Sequence, residues 1–184
     1  EILCPISGTI RQSITTLCGE LGVTENTFIQ VIWSILLSRY NNTSDVVFGA
    51  VVSGRPGEIQ GIEDMIGLFI NTIPVRISIK EEITVKELLK EVQQSSIEGI
   101  DHHYTQLAQI QSEAELGGNI FDHILVFENY QVQEMMSQSF ETKEFSLVSS
   151  DVFEQNNYDF TIVVIPGDTI SIKFKYNGNV YNEK

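Results

Sequence analysis

The run from Val46 to Val52 constrains the fold of this chain more than any other segment. It reads Val-Val-Phe-Gly-Ala-Val-Val, so no polar residue alternates with the apolar ones. A run of this kind is typical of a strand covered on both faces, because a bare face would expose apolar side chains to water. Gly54, Pro56 and Gly57 supply turn residues directly after it. The run therefore predicts an inner strand with covering layers.

Two segments that precede this strand are predicted to be helices. Residues 9–22 place apolar side chains at helical spacing, and Gly22 is a suitable stop. After Thr24, a good N-cap residue, the chain is apolar nearly all round as far as Tyr40. We expect this second helix to be buried on several sides.

Strand patterns recur in the rest of the chain, after one well-marked helix. Thr84 and Glu87 form a capping box, and the helix that they begin is expected to end near Gly99. Pro74 indicates that the strand around it lies at a sheet edge or begins irregularly. Helices mixed with strands predict the α/β class, as a layered sheet-and-helix sandwich. Further strands are predicted over residues 72–79, 120–127, 158–165 and 169–176.

Charge and cysteine content exclude several classes of function. The 184 residues carry 25 Asp and Glu against 11 Lys and Arg, a formal net charge of −14. This excess repels phosphate backbones and anionic lipids, so neither nucleic acid nor a membrane is an expected partner. Cys4 and Cys18 do not have metal-ligand spacing, so no metal site is predicted, and a reduced cytoplasmic setting is expected. Because the sequence opens without Met, we expect a piece of a longer protein.

Few side chains form a pattern that indicates chemistry. His102 and His103 could supply a general base, but they lie in a polar stretch with no nucleophile beside them in sequence. His123 lies in an apolar run and is expected to be packed, not to bind a ligand. Ser53 follows a strand, where a hydroxyl can be presented to a ligand or can simply belong to a turn. The residues alone therefore leave the function open.

The segments around the central run resemble the condensation domains of nonribosomal peptide synthetases in both order and spacing. The resemblance is carried by Asp-Val-Val-Phe-Gly at 45–49, Val-Ser-Gly-Arg-Pro at 52–56, Ile-Gly-Leu-Phe-Ile-Asn-Thr at 66–72 and Arg76. It extends to residues 22–24, 36–40 and 121–130.

The resemblance implies one lobe of a V-shaped pair related to chloramphenicol acetyltransferase, with the reaction in a channel between the lobes. Residues 1–184 would be the C-terminal lobe. The catalytic histidine of the family belongs to a His-His-x-x-x-Asp-Gly motif in the other lobe. Here Leu107 and Ala108 follow His102 and His103 at the positions where Asp and Gly are required. We therefore expect no catalytic residue in this fragment, which should be inactive alone.

The resemblance also implies roles for particular residues. Ser53 is expected to lie near the reaction centre in the channel, where its hydroxyl could orient the acceptor amine or bridge to the catalytic histidine of the other lobe. Asn71 and Arg76 are expected to hold strand ends and the lobe interface, and residues 149–157 to cross to the partner lobe. The turn and the loop at the channel floor are expected to comprise Gly54, Arg55, Pro56 and Gly57. From the residues themselves, Arg55 could either pair with a carboxylate across an interface or be exposed.

The implied partners are the N-terminal lobe and the upstream and downstream peptidyl carrier domains. Phosphopantetheine would arrive on the carriers, and no cofactor would bind the lobe directly. Two alternatives stay open: an epimerisation-type lobe, and a non-catalytic module that docks carrier domains.

Overall fold

One mixed sheet organises the chain. The computed structural model describes residues 1–55, 59–114, 118–128 and 156–181. The strands are β1 Ile2–Pro5, β2 Asp45–Val52, β3 Asn71–Ser78, β4 His123–Phe127, β5 Phe160–Ile165 and β6 Ser171–Tyr176. The helices are α1 Gly8–Leu21, α2 Glu25–Asn41, α3 Val85–Gly99 and α4 Leu107–Glu113, with short 3₁₀ turns at Ile62–Asp64 and Ile100–His102.

The carboxyl ends of the parallel strands all lie on the same side of the sheet. The order is β1-β6-β5-β4-β2-β3. β2, β4 and β5 are parallel to one another, whereas β1, β3 and β6 each pair antiparallel with a neighbour. β3 is an edge strand, which confirms the position predicted from Pro74. The three parallel strands therefore end side by side, at Val52, Phe127 and Ile165.

β2 is covered on both faces, as predicted. On one face Phe48 and Leu125 pack with the apolar sides of α1, α2 and α3 in a common core. On the other face the Phe121 ring covers Gly49, where an added Cβ would lie 2.4 Å from the ring. Phe121 in turn stacks on Tyr158. Glycine at position 49 thus allows an aromatic ring to lie directly on the strand.

α2 departs from the expectation of burial on several sides. The predicted N-cap is confirmed: the Thr24 side chain accepts a hydrogen bond from the Thr27 backbone N–H. However, Ile32, Leu36 and Tyr40 are 38%, 43% and 87% exposed. These residues recur every four positions and so form one stripe along the helix. α2 packs against α1, α3 and β2, which leaves this outer stripe uncovered by the described residues.

Two further results concern the first strand and the cysteines. β1 was not predicted from sequence; its four residues are all exposed and pair with β6. Cys18 is buried, and burial raises the pKa of its thiol. None of the described helices has the length and apolarity needed to cross a membrane.

The capping box at the start of α3 forms as predicted. The Thr84 hydroxyl accepts a hydrogen bond from the Glu87 backbone N–H, and the Glu87 carboxylate accepts one from the Thr84 backbone N–H at 2.9 Å. Hydrogen bonds from Thr84 lower the pKa of the Glu87 carboxyl. Leu88, Leu89 and Val92 then face the core from the first turns of this helix.

We predict that Thr84→Ala lowers the free energy of unfolding by about 1 kcal/mol, because the N-cap acceptor is lost. Urea denaturation measures the difference. Thr16→Ala is the matched control, since Thr16 is exposed within α1, and its effect should stay within about 0.5 kcal/mol. Equal effects of the two substitutions would contradict a stabilising role for the cap.

Candidate functional site

Ser53 lies at the carboxyl ends of the parallel strands. It directly follows β2, and its side chain is exposed. Its hydroxyl makes no hydrogen bond to any residue that the structure describes. A hydroxyl in this state can both donate a hydrogen bond to a ligand and accept one from it. Ligands of open sheets that contain parallel strands commonly bind outside such strand ends.

Gly54 requires a glycine for two independent reasons. Its φ of +59° lies in the left-handed region, which side chains other than glycine seldom adopt. A Cβ at this position would also lie 1.9 Å from the carbonyl oxygen of Phe69. The turn after Ser53 is therefore pressed against the backbone of the loop that leads into β3.

Arg55 fastens the same loop. Its guanidinium donates hydrogen bonds to the carbonyl oxygens of Ile62 and Met65, the latter at 3.0 Å. It also lies 4.2 Å above the centre of the Phe69 ring, a cation–π contact. The described partners of Arg55 are therefore backbone carbonyls and an aromatic ring of one nearby loop. The several N–H donors of the guanidinium, which can also bind a carboxylate, here hold the loop before β3 in place.

The fastened loop presents apolar side chains to water. Ile66 and Leu68 are fully or almost fully exposed, and Met65 and Ile70 are about half exposed. We call residues 65–70 the apolar loop. Exposed apolar patches next to a rigid turn are typical of surfaces that contact another protein unit. No sequence argument singled out this exposure, because the apolar pattern alone does not show on which side of the loop the side chains lie.

Asn71 connects the start of β3 to the turn after α3. Its side-chain NH2 group donates hydrogen bonds to the backbone carbonyl oxygens of His103 and Thr105, both at 2.8 Å. Its side-chain oxygen accepts a hydrogen bond from the Thr72 backbone N–H. Asn71 is paired with Val52 in the register of β2 and β3. It therefore lies beside the Ser53 turn and holds a strand end there.

Arg76 lies away from this group. Its guanidinium makes a bidentate contact with the Asp45 carboxylate, with Nη2 to Oδ2 at 2.6 Å, and hydrogen bonds from Arg76 lower the pKa of that carboxyl. Arg76 is opposite Val47 in the register, five residues before Val52. At about 3.3 Å per residue that is roughly 16 Å along the strand. The structure thus brings Ser53, Gly54, Arg55 and Asn71 together and separates Arg76 from them.

The three histidines differ in their surroundings. His102 is exposed, and burial lowers the pKa of His103. His123 is buried, as predicted; its Nε2 accepts a hydrogen bond from the Trp33 indole N–H at 2.9 Å, and its Nδ1 lies 2.6 Å from Asp122. The described residues also contain no cluster of three potential metal ligands.

A cavity beside β3 was not predicted from the sequence. It has a volume of about 340 Å³ and lies between β3 and α3, over the helix-facing side of β2. Asn26 and Gln30 of α2 line it together with Ser96 of α3. Two carboxamides four residues apart on a largely apolar helix were the sequence signal for it.

Two of the predicted regions lie wholly or partly outside the described residues. These are Pro56 and Gly57 of the turn, and the stretch expected to cross to the partner lobe, of which only Asn156 and Asn157 are described.

We predict that Gly54→Ala destabilises the chain more than Gly61→Ala. Gly61 has a φ of +78° but no atom within 4 Å of an added Cβ, so its substitution should cost only the conformational term of about 1–2 kcal/mol. Gly54→Ala should cost at least about 2 kcal/mol more, because a backbone carbonyl must move. Urea denaturation measures both, and equal costs would show that the contact with Phe69 is not tight.

Comparisons with known proteins agree with the geometry. The family model described as "Condensation domain" matches residues 1–184. Surfactin synthase subunit 3 from Bacillus subtilis (strain 168) is 42% identical over 183 residues, which are 100% of this chain and 14% of that protein. Bacitracin synthase 3 from Bacillus licheniformis is 44% identical over 172 residues, 92% of this chain and 3% of that protein. The chain spans only a small part of these relatives.

Solved structures support the fold. The first condensation domain of the calcium-dependent antibiotic synthetase, in complex with a substrate analogue, aligns with a TM-score of 0.74 at 15% identity, over 98% of this chain and 40% of the other. A four-domain nonribosomal peptide synthetase bound to AMP and glycine aligns with a TM-score of 0.79 at 15% identity, over 97% and 15%. The predicted chloramphenicol acetyltransferase-like sandwich is confirmed, and the chain belongs to the condensation-domain family of nonribosomal peptide synthetases.

Proposed function

We propose that this chain is the C-terminal lobe of a condensation domain and forms one wall of a channel in which a peptide bond is made. The observation that carries the proposal is Ser53, an exposed hydroxyl at the end of β2 with no partner among the described residues. Gly54 and Arg55 hold its turn rigidly against the loop before β3. A rigidly held polar group at the carboxyl end of parallel strands is suited to position a reacting group.

The reaction would join an amine on one carrier domain to a thioester on another. The amine nitrogen attacks the thioester carbon, the C–S bond breaks, and the thiol of the phosphopantetheine arm leaves. The proton that the amine loses would go to a general base on the N-terminal lobe and from there to the departing sulfur, so that a thiol is released. Ser53 would accept a hydrogen bond from the amine and so direct its lone pair at the carbonyl carbon.

The apolar loop would be the contact with the N-terminal lobe. Leu68 is 91% exposed and Ile66 entirely so, although Arg55 holds the loop in place. An ordered loop that exposes large aliphatic side chains gains free energy when a second surface covers it. Such a contact next to Ser53 would put the opposing lobe, and its general base, across the channel from the hydroxyl.

No cofactor is proposed to bind this lobe itself. Phosphopantetheine would be supplied by the carrier domains upstream and downstream in the synthetase. The general base, the carriers and the N-terminal lobe all lie outside these 184 residues in this proposal, and the isolated chain is therefore expected to be inactive.

We predict that Ser53→Ala, made in the complete condensation domain, slows amide formation about fivefold, because one directing hydrogen bond of about 1 kcal/mol is lost. Single-turnover assays with loaded carriers measure the rate. Ser53→Thr, which keeps the hydroxyl, should retain most of it. Ser44→Ala changes an exposed serine at the opposite end of β2 and should leave the rate unchanged. An unchanged rate in Ser53→Ala would remove the orienting role and leave the turn purely structural.

We also predict that Leu68→Asp lowers the free energy of unfolding of the complete domain by about 2 kcal/mol or more, because the side chain would lose its buried contact with the other lobe. Tyr40→Asp, at an exposed position on α2, is the control and should have little effect. In the isolated 184 residues Leu68→Asp should be neutral, since the loop is already exposed there. Amide formation by the isolated chain, or equal effects of Leu68→Asp with and without the other lobe, would contradict the two-lobe proposal.

A further inference from the structure

A second cavity lies at the end of the sheet opposite to Ser53. It has a volume of about 350 Å³ and is lined by His123 and Phe160, the first residues of β4 and β5, and by Trp33 and Leu37 of α2. We call it the aromatic cavity. It surrounds the amino ends of the parallel strands, whereas Ser53 follows the carboxyl end of β2. The eight residues of β2 separate these two ends by roughly 23 Å.

Two hydrogen bonds in series determine the charge on the wall of the aromatic cavity. The Trp33 indole N–H can only donate, so the His123 Nε2 atom, 2.9 Å away, accepts its hydrogen bond and carries no proton. The His123 ring is therefore neutral, with its proton on Nδ1, and it donates to the Asp122 carboxylate at 2.6 Å. The Asp122 side chain is 85% exposed and lines the cavity, so it presents a full negative charge there.

No cation of the described lining balances this charge. The lining contains a second carboxylate, Asp45, but Arg76 is already paired with it. Asn41, the last residue of α2, also lines the cavity. The carboxyl end of a helix carries a partial negative charge, which adds to that of Asp122. The aromatic cavity therefore attracts a positively charged group.

The rings of the aromatic cavity suit the same kind of group. Trp33 and Phe160 stack with their centres 6.0 Å apart, and Tyr181 tilts against Phe160 at 5.8 Å. Cations are attracted to the faces of aromatic rings. A guanidinium fits such surroundings better than an ammonium, because it is planar and can stack on a ring while its N–H groups bind a carboxylate.

The exposed stripe of α2 adjoins the aromatic cavity. Leu36 lies three residues after Trp33, and Tyr40 lies three residues after Leu37, so these side chains are neighbours on the helix surface. Leu36 and Tyr40 are 43% and 87% exposed. A ligand that contacts both the cavity and the stripe must carry apolar groups beside its cation. A polypeptide segment with an arginine between aliphatic residues has this composition.

We propose that this end of the sheet docks a polypeptide partner. An arginine side chain of the partner enters the aromatic cavity beside Asp122, and its aliphatic neighbours cover the exposed stripe of α2. The formal net charge of −14 favours the approach of a basic segment. This docking site is separate from the site proposed at Ser53, and its occupation does not depend on amide formation.

The test uses the complete condensation domain and three capped peptides, acetyl-Gly-Leu-X-Leu-Gly-amide, in which X is arginine, citrulline or lysine. Citrulline has nearly the shape of arginine but no charge. Calorimetric titration at low ionic strength should show the tightest binding for the arginine peptide, weaker binding for the lysine peptide, and binding at least about fivefold weaker for the citrulline peptide. Equal affinities for the arginine and citrulline peptides would overturn the inference.

Two substitutions test the carboxylate. Asp122→Asn should weaken binding of the arginine peptide about fivefold and leave the citrulline peptide within about twofold, because only the attraction between charges is lost. Asp168→Asn removes the same charge from an exposed position in the turn after β5, at the other end of the sheet, and is the matched control. It should leave the affinity for both peptides unchanged. Equal effects of the two substitutions would mean a general attraction to an acidic surface and would contradict a docking site.

A further substitution tests the rings. Tyr181→Leu keeps an apolar side chain but removes the aromatic face, and should weaken binding of the arginine peptide about threefold. Agmatine, which carries a guanidinium without a polypeptide, should bind at least about tenfold more weakly than the arginine peptide. Equal binding of agmatine and the peptide would replace the polypeptide partner with a small cation and so overturn the proposal.

Fluorine NMR locates the bound peptide. In the complete domain labelled with 5-fluorotryptophan, the resonance that is missing from Trp33→Phe belongs to Trp33. This resonance should shift in the wild type when the arginine peptide is added, since the guanidinium lies beside the indole ring. Binding that leaves the Trp33 resonance unmoved would place the peptide elsewhere and refute the inference.

Discussion

The burial of β2 between two unlike layers is the constraint on which the rest of this structure depends. On one face Phe48 packs with the apolar sides of three helices, and on the other Gly49 accepts the ring of Phe121. A strand covered in this way cannot slip by one residue, because the slip would exchange its two faces. The fixed register of β2 then determines where the strand ends, and with it the position of Ser53.

The turn after β2 is held against the loop before β3, and this fixes the position of Ser53. Gly54 approaches the backbone at Phe69 so closely that no side chain fits, and Arg55 joins two carbonyls and a ring of the same loop. Asn71 connects the adjacent strand to the turn after α3. These contacts are backbone-directed and short in range. Two groups stay exposed beside them: the hydroxyl of Ser53 and the aliphatic side chains of the apolar loop.

The helix layer has its own polar feature. Gln30 is buried, and its amide nitrogen lies 3.4 Å from the Asn26 side-chain oxygen one turn earlier on α2. Both residues line the cavity beside β3. Arg76 and Asp45, by contrast, form an ion pair at the opposite end of β2 and make no contact with Ser53.

Local patterns in the sequence determined most of the elements. The apolar run at 46–52, the caps at Thr24 and Thr84 and the edge position of Pro74 are consequences of backbone geometry and short-range hydrogen bonding, and the structure confirms them. The same patterns could not show that α2 leaves a stripe uncovered or that a four-residue strand, β1, pairs with β6, because both depend on which distant segments lie alongside.

The candidate site divides in the same way. That Ser53 ends a strand and is followed by a turn was readable from the sequence, and the resemblance to a family directed attention to it. Only the tertiary structure decided that Arg55 binds carbonyls in place of a carboxylate, that Arg76 lies roughly 16 Å away along the strand, and that a cavity opens beside β3. Each of these depends on pairing between residues far apart in the chain, which hydrophobic periodicity and turn chemistry do not encode.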